Sequence, residues 1–230
     1  MVVDGNKPVC LTGAMRTADE PGADGSYNLL CAIRVAASEQ ARGMGALVVM
    51  NAAIHAARDV MKTHTANVAA FQSPEWGPIG YVDEDCIVFS RLPQGRQHIA
   101  PPRLGGEVDL IKAVTGSDAA YLDFAISRGI SGIIIESLGC GNIPPGMVPG
   151  IERALEKGLP VILAARPLAG RILGVYGYPG GAKPLLDSGV ISAGALTAAK
   201  ARLKLRLLLG LYADGAPSLK QIKTWFVETY

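Results

Sequence analysis

The chain has 230 residues, of which 49% are hydrophobic and 18% charged, so it is not a disordered chain and can bury a sizeable core. Its 22 lysine and arginine residues nearly balance 20 aspartate and glutamate residues. The resulting net charge of +2 gives no indication of nucleic acid or a membrane surface as a partner. The sequence contains no run of eighteen apolar residues, so no transmembrane helix is expected.

Cysteine usage and the first residues bear on the cellular compartment. The four cysteines are Cys10, Cys31, Cys86 and Cys140, and their spacing forms no C-x-x-C pair. Cys10 and Cys31 lie in apolar stretches, where reduced thiols of a core are expected. Residues 1–8 contain neither the basic nor the apolar region of a signal peptide. We therefore expect a reducing, cytoplasmic location.

Apolar runs alternate with helical patterns through the first part of the chain. The sequence predicts short buried strands over residues 8–11 and 46–50 and a helix over residues 24–37. One apolar face of this helix is expected to comprise Leu29, Leu30, Ile33 and Ala37. A hairpin over residues 79–90 is predicted around an acidic turn at residues 83–85.

The composition changes over residues 91–106, which contain three prolines, three glycines and no periodic apolar pattern. This segment is predicted to link two domains. After it, repeated β-α-β units predict a parallel sheet with helices on both faces. The predicted strands cover residues 108–114, 132–135 and 160–164, and the predicted helices cover 117–128, 149–157 and 218–229. Residues 202–209 fit a strand or a helix, and the length of the pattern favours a helix.

Several motifs of catalysis or cofactor binding are absent or incomplete, so we expect neither a metal nor a cofactor. The sequence has no G-x-S-x-G motif. His55, His64 and His98 lack metal-ligand spacing, which favours structural or solvated roles. Residues 138–142 lack the third glycine of a dinucleotide-binding loop, and residues 177–183 lack the spacing of a phosphate loop.

Three positions remain as candidates for a functional site, each open to interpretation. Gly13 directly follows a predicted strand, where α/β proteins place ligands. Lys62 lies close in sequence to Arg58 and Asp59, and a lysine beside another cation or in a dry pocket can act as a base. The alternative for this stretch is a solvated charged loop. Asn142, which follows glycine at a strand end, either binds a polar ligand group or merely turns the chain.

Ordered motifs along the whole chain resemble those of the bacterial-type L-asparaginase family, which includes asparaginases and glutaminases. In the first half they are Lys7-Pro8-Val9, Thr12-Gly13-Ala14-Met15-Arg16, Ala23-Asp24-Gly25-x-x-Asn28-Leu29, Arg58-Asp59-Val60-x-Lys62-Thr63, Phe71-x-Ser73 and Gly77-Pro78-Ile79-Gly80-Tyr81. In the second half they are Gly139-x-Gly141-Asn142 and Lys200-Ala201-Arg202. The resemblance implies two α/β domains with mainly parallel sheets.

The resemblance does not extend to the beginning of the family's sequence. Family members begin with about a hundred further residues, which carry a Thr-Gly-Gly-Thr segment with the nucleophilic threonine and a His-Gly-Thr-Asp-Thr segment. Neither segment is present, and Thr115-Gly116-Ser117-Asp118 resembles them by composition only, so we interpret it as a turn and helix cap. We therefore expect an N-terminally truncated chain, with residues 1–90 as an incomplete first domain, 91–106 as a linker and 107–230 as the C-terminal domain.

The resemblance implies roles for three residues. Lys62 matches the lysine that, with the second threonine and an aspartate, activates a threonine for attack. Ala14 matches the residue whose carbonyl receives the substrate amide nitrogen. Asn142 matches an asparagine that reaches the neighbouring subunit's site. Residues 176–186 contain no acidic residue, so the cross-subunit glutamate of some members has no counterpart there.

The implied activity is hydrolysis of L-asparagine, or of L-glutamine, by a homo-oligomer that is a dimer or a tetramer, without a cofactor. This chain alone is expected to be inactive, because both threonine segments are absent from its sequence. The alternative is a non-catalytic remnant that acts only in binding or subunit association.

Overall fold

The computed structural model describes residues 1–93, 95–212, 215 and 217–227, and the chain divides into two compact units, residues 1–98 and 99–230. The division falls inside the segment predicted to be a linker. Each unit has its own sheet and its own core. Within the described residues, no helix has the length and apolar character needed to cross a membrane.

The first unit is built on a five-stranded sheet with the strand order β1-β2-β3-β6-β7. Its strands are β1 (Val9–Leu11), β2 (Ala46–Met50), β3 (Ala53–Ala56), β6 (Gly80–Asp83) and β7 (Cys86–Phe89), and its helix is α1 (Gly25–Ala37). Between β3 and β6 the chain forms a separate two-stranded sheet of β4 (Met61–Lys62) and β5 (Phe71–Gln72). The five-stranded sheet is mixed, because β1 and β2 run parallel whereas the pairs β2–β3, β3–β6 and β6–β7 run antiparallel.

The two α/β units that were expected are confirmed, and the sheet of the first unit is mixed because of a two-residue turn. Asn51 and Ala52 connect β2 to β3 with φ angles of 50° and 60°. Two consecutive positive φ angles are typical of the type I′ turns that join antiparallel strands. Such a turn is indicated in a sequence by Asn-Gly, whereas this chain has Asn51-Ala52, and alanine rarely adopts a positive φ. The sequence therefore did not predict this hairpin. The hairpin predicted over residues 79–90 is confirmed by the antiparallel pairing of β6 and β7.

Helix α1 covers one face of the five-stranded sheet, but with a different side from the predicted one. The core on this face includes Cys31, Val35, Leu47, Val49 and Ile54. In contrast, Leu29, Leu30 and Ile33 expose 53%, 44% and 56% of their surface. The prediction was wrong because the buried side of the helix includes a polar residue, Asn28, which interrupts the apolar periodicity.

The opposite face of the same sheet carries exposed apolar side chains. Along β1, Cys10 packs against the core, whereas its neighbours Val9 and Leu11 are exposed. On β6 and β7, the cross-strand pair of Tyr81 and Val88 is also half exposed. Within the described residues, β1 is an edge strand that pairs with β2 alone. An edge strand that itself carries exposed apolar side chains favours association with another chain segment.

The second unit contains a four-stranded parallel sheet with the order β11-β10-β9-β8, which confirms the parallel sheet predicted here. Its strands are β8 (Val108–Lys112), β9 (Gly132–Ser137), β10 (Val161–Ala165) and β11 (Ile191–Ser192). Its helices are α2 (Ala120–Ser127), α3 (Val148–Glu156), α4 (Ala182–Asp187), α5 (Ala198–Leu211) and α6 (Leu219–Val227). The helix predicted over residues 202–209 is confirmed by α5. The end of the helix predicted over residues 218–229 lies outside the described residues.

Helices cover both faces of the parallel sheet, as the alternation along β9 demonstrates. Ile133 and Ile135 pack in one core with Leu122 of α2. Ile134, between them, packs in the other core with Leu205 of α5. Because all four strands run in one direction, their carboxyl ends lie at one edge of the sheet, which is where such sheets bind ligands.

Candidate active site

The loop that follows β1 is held in one conformation by side chains of helix α1 and its start. The carboxylate of Asp24 accepts hydrogen bonds from the backbone N–H groups of Met15, at 3.0 Å, and Arg16, at 3.0 Å. The Nδ2 of Asn28 donates to the carbonyl of Gly13, at 3.0 Å. Thr12 Oγ1 donates to a carbonyl of β2, at 2.8 Å. The loop is therefore fixed at both ends.

The charge of Asp24 is maintained by these contacts. Desolvation opposes ionisation of this carboxyl, but the backbone donors of Arg16 and Met15 and the side chain of Asn28 outweigh it and lower its pKa. Asp24 is thus an anionic acceptor at neutral pH, which suits it to hold two backbone N–H groups. Sequence reasoning used Asp24 and Asn28 only as parts of a motif and missed this positioning role.

Ala14 lies at the centre of this loop and is exposed. Its neighbours use their backbone groups inside the protein, since Gly13 accepts from Asn28 and Met15 donates to Asp24. In contrast, no described residue donates a hydrogen bond to the carbonyl of Ala14. The carbonyl of Ala14 is therefore available as an acceptor on an exposed residue whose two neighbours are fixed. Such an acceptor can bind the N–H of an amide without reorganising the protein.

Lys62 lies on β4 of the separate two-stranded sheet and is exposed. Its Nζ lies 6.0 Å from the ring centroid of Phe71, which pairs with it on β5. It forms no ion pair with any residue that the structure describes. Arg58, which the sequence placed near it, lies 3.9 Å from the carboxylate of Asp59 instead. The first unit thus presents the Lys62 amine to solvent and does not enclose it in a dry pocket.

Polar side chains cluster around His55 and the segments that flank the two-stranded sheet. His55 of β3 is 1% exposed, and its Nδ1 lies 2.9 Å from Oγ of Ser73, which follows β5. Nearby, Arg91 lies 3.8 Å from Asp59 and donates to the carbonyl of Gly77 at 2.5 Å. Burial, followed by the charge of Arg91, lowers the pKa of His55, and Asp59 partly opposes this effect. His55 is therefore neutral at neutral pH.

Sequence reasoning assigned His55 a structural or solvated role and did not connect it with Ser73. A signal was present in the sequence, because His55 stands between Ile54 and Ala56 in an apolar run. A histidine in an apolar run is expected to be buried, and a buried histidine needs a hydrogen-bond partner. The partner lies 18 residues further along the chain, and nothing in the local sequence specifies it.

Asn142 lies in the second unit, in the turn that follows β9. Its backbone forms a bridge with Leu138, in which each residue donates to the other at 2.8 and 2.9 Å. The loop after β10 is hydrogen-bonded to this turn, since the N–H of Ile143 donates to the carbonyl of Gly180 at 2.8 Å. The side-chain Oδ1 of Asn142 is buried and has no partner among the described residues. The backbone therefore serves the turn, while the side-chain amide retains an unused acceptor.

The loop after β10 carries exposed apolar residues rather than acidic ones. Val175, Tyr176 and Tyr178 are exposed, and the two tyrosine rings lie 5.8 Å apart. Two backbone hydrogen bonds connect this loop to the turn that contains Asn142. The structure thus places Ala14 and Lys62 in the first unit and Asn142 in the second. Their roles stay predictions.

Within the described ranges, the structure contains no group of three or more His, Cys, Asp or Glu side chains arranged to hold a metal ion. All four cysteines are free thiols, and burial raises the pKa of the Cys10 thiol. The loops described above offer backbone carbonyls, side-chain amides and hydroxyls, and the Lys62 amine.

Comparison with known proteins places both units in one family. The family description "Asparaginase, N-terminal" matches residues 1–94, and "Glutaminase/Asparaginase C-terminal domain" matches residues 107–226. The chain therefore belongs to the asparaginase and glutaminase family. A probable L-asparaginase of Deinococcus radiodurans is 42% identical over 211 residues, which are 90% of this chain and 64% of that relative.

Two further relatives extend the comparison. An L-asparaginase of Bacillus licheniformis is 32% identical over 216 residues, which are 94% of this chain and 67% of the relative. A glutamyl-tRNA(Gln) amidotransferase subunit of Pyrococcus furiosus is 32% identical over 238 residues, which are 97% of this chain and 52% of the relative. The chain thus spans between half and two thirds of the length of these curated relatives.

Proposed function

We propose that this chain forms part of an amidohydrolase that converts L-asparagine to L-aspartate and ammonia, with L-glutamine as a second substrate. Family membership and the names of the relatives from Deinococcus and Bacillus support this assignment. The nucleophile is a threonine that lies outside this sequence, since neither threonine motif is present in it. This chain alone does not hydrolyse asparagine.

The observation that carries the proposal is the fixed loop with the free carbonyl of Ala14. Amide hydrolysis requires the scissile amide to be held while the nucleophile attacks its carbon. An acceptor that is fixed by Asp24 and Asn28 on either side can receive the N–H of the substrate amide. The same contact selects an amide over a carboxylate, because a carboxylate oxygen cannot donate to a carbonyl.

Lys62 acts in the proton relay of this reaction. The threonine Oγ attacks the amide carbon and its proton passes to the relay, so that a tetrahedral intermediate with a negative oxygen forms. The relay then protonates the nitrogen, and ammonia leaves the acyl-enzyme. Water, activated by the same relay, releases aspartate and regenerates the threonine. What supports this role is the match of Lys62, within Arg58-Asp59-Val60-x-Lys62-Thr63, to the family's motif.

Asn142 contributes to the site of a neighbouring subunit, and the protein is a homo-oligomer, a dimer or a tetramer. The match of Gly139-x-Gly141-Asn142 to the family's motif supports this role. The absence of an acidic residue over residues 176–186 leaves the contact of a cross-subunit glutamate to another group.

The test compares two forms of the protein in an ammonia-release assay. One is the 230-residue chain, and the other is an extended form in which this chain continues an N-terminal segment that carries both threonine motifs. We expect ammonia from asparagine in the extended form only. Turnover by the purified 230-residue chain that disappears on mutation of one of its own residues would contradict the proposal. A chain that stays inactive in every extended form would favour the alternative, a non-catalytic binding or association role.

A further inference from the structure

His55 is buried on β3 with only one of its two ring nitrogens in use. Its Nδ1 lies 2.9 Å from Ser73 Oγ, and Ser73 is itself 3% exposed. Its Nε2 is buried without a partner among the described residues. Burial of a half-satisfied imidazole costs stability, and an apolar side chain at this position of β3 would avoid that cost. The His55–Ser73 contact therefore needs an explanation beyond filling the core.

The explanation lies in how the sheet of β4 and β5 is held. This two-stranded sheet shares no ladder with the five-stranded sheet in the described part of the chain. Its own hydrogen bonds are internal, such as that from the N–H of Thr63 to the carbonyl of Ala70 at 2.7 Å. Before β4, the backbone N–H groups of Asp59 and Val60 donate to the carbonyl of Ala56 in β3, at 3.0 and 3.1 Å. After β5, the contact with β3 is made by a side chain, that of Ser73.

A second contact restrains the same segment from its other side. Arg91 donates to the carbonyl of Gly77, four residues beyond Ser73, and faces Asp59, which precedes β4. Asp59 also faces Arg58. The segment that carries Lys62 is thus held at its two ends, by His55 through Ser73 and by Arg91 through Gly77 and Asp59.

We propose that His55 is a positioning residue for Lys62. It bonds Ser73, Ser73 fixes β5, and β5 pairs Phe71 with Lys62, so the ring of His55 sets the position of the lysine amine against the five-stranded sheet. The inference rests on the proposed function for its catalytic consequence, whereas its structural consequence is independent of that function. Ser73 is the residue through which His55 acts on β5.

The structural test is amide hydrogen exchange on the 230-residue chain. The variants are His55→Leu, Ser73→Ala and His55→Asn, in which the amide of asparagine takes the place of Nδ1. Ser90→Ala is the matched control, because Ser90 Oγ donates to the carbonyl of Ile79 at 3.2 Å in the same unit and forms no hydrogen bond with the described residues of β4 or β5. The exchange rate of the Thr63 amide is compared with that of amides in β2.

We expect His55→Leu and Ser73→Ala each to raise exchange at Thr63 by about tenfold, the equivalent of one lost buried hydrogen bond, with β2 unchanged. The double variant should exchange no faster than either single variant, because both remove the same bond. His55→Asn should stay near the original rate, as should Ser90→Ala. Equal acceleration at Thr63 and in β2, or none at Thr63, overturns the inference. If His55→Leu does not fold, the Ser73→Ala and His55→Asn pair decides the question.

The catalytic test uses the extended form with asparagine as substrate. His55→Leu should lower kcat by about tenfold with KM within about twofold, because the relay is displaced while the Ala14 loop is untouched. His55→Asn should restore most of kcat, which a loss of folding alone would not predict. An unchanged kcat in His55→Leu overturns the positioning role and leaves the proposed function standing. An unmutated extended form that hydrolyses neither amide overturns the proposed function, together with the catalytic part of this inference.

Discussion

Asn28 connects two loops of the first unit through one side chain: its Oδ1 accepts a hydrogen bond from the backbone N–H of Asn51, at 2.8 Å, while its Nδ2 donates to Gly13. Asn51 begins the turn between β2 and β3, and Gly13 begins the loop that presents Ala14. Helix α1 thus contributes a fully buried amide that joins the turn and the candidate substrate loop. One side chain therefore supports both the turn of the sheet and the candidate substrate loop.

The first prediction concerns this amide. Asn28→Ala should lower the free energy of unfolding of the first unit by about 2–3 kcal/mol, since it leaves the Asn51 N–H and the Gly13 carbonyl without their partner. Urea unfolding, followed by the fluorescence of Trp76 in a chain that also carries Trp225→Phe, measures the change. Leu29→Ala, at an exposed position of the same helix, is the control and should stay within about 0.5 kcal/mol. Equal effects of the two substitutions would contradict the prediction.

The second prediction concerns Lys62. In the extended form, Lys62→Met should lower kcat for asparagine by about 10²–10⁴-fold, which is the usual loss when a general base is removed. Because Lys62 is exposed and forms no ion pair with a described residue, the unfolding midpoint should hardly change. Lys157→Met, at an exposed lysine of the second unit, should leave ammonia release as it was. Unchanged ammonia release in Lys62→Met would remove this residue from the relay.

The second unit was more predictable from sequence than the first. Its central strands β9 and β10 are buried on both faces, so apolar runs such as Ile133–Ile135 identify them without knowledge of their partners. In the first unit, a single polar residue on the buried side of α1 concealed the true helix face. The turn at Asn51 and Ala52 adopts a rare backbone conformation that no glycine announced. In both places a tertiary contact outweighed the local pattern.

The candidate site shows the same division. Motif resemblance proposed Ala14, Lys62 and Asn142 as site residues, because each lies in a short segment with characteristic neighbours. The residues that hold them in place escaped notice, since their partners are distant in sequence. His55 and Ser73 meet only when β3 and the segment after β5 are brought together by the fold. The spacing of residues along the chain therefore does not predict such a contact.

The third prediction follows from the lowered pKa of His55. Its unfolded-state pKa is about 6.5 and its folded-state pKa is lower, so the unfolded chain binds the extra proton in the interval between the two. The contribution to stability is therefore complete above the unfolded value and is lost as pH falls below it. We expect a loss of up to about 1.4 kcal/mol per pH unit within that interval.

Urea unfolding of the first unit at pH 7 and pH 5 measures this dependence. His55→Leu should remove most of the slope, because the variant has no imidazole to protonate at this position. His98→Gln, at a more exposed histidine beside Asp4, should not flatten it. A slope that persists in His55→Leu would assign the acid sensitivity to another group.

The fourth prediction concerns the segment between the units. Limited proteolysis should cut first within residues 91–106 and leave a resistant C-terminal piece. The side chain of Ile99 is fully buried in the core of the second unit, and the N–H of Gly105 donates to Arg206 of α5 at 3.0 Å. The first cut should therefore fall before Ile99, where Leu92 is exposed. Mass spectrometry of the fragments identifies the cut, and preferential cleavage within residues 160–210 would contradict the boundary.

The last prediction concerns the open edge of the first unit. The 230-residue chain should self-associate and bind a dye for apolar surfaces, because β1 is an edge strand and the exposed residues include Val9 and Leu11. Val9→Lys with Leu11→Lys should reduce light scattering, since charge on an edge strand opposes pairing with another chain. Tyr121→Lys, at an exposed position of α2 in the second unit, is the control and should leave scattering unchanged. If the chain alone stays monomeric at high concentration, or if the control reduces scattering as much as the edge variant does, the open edge is not the cause of association.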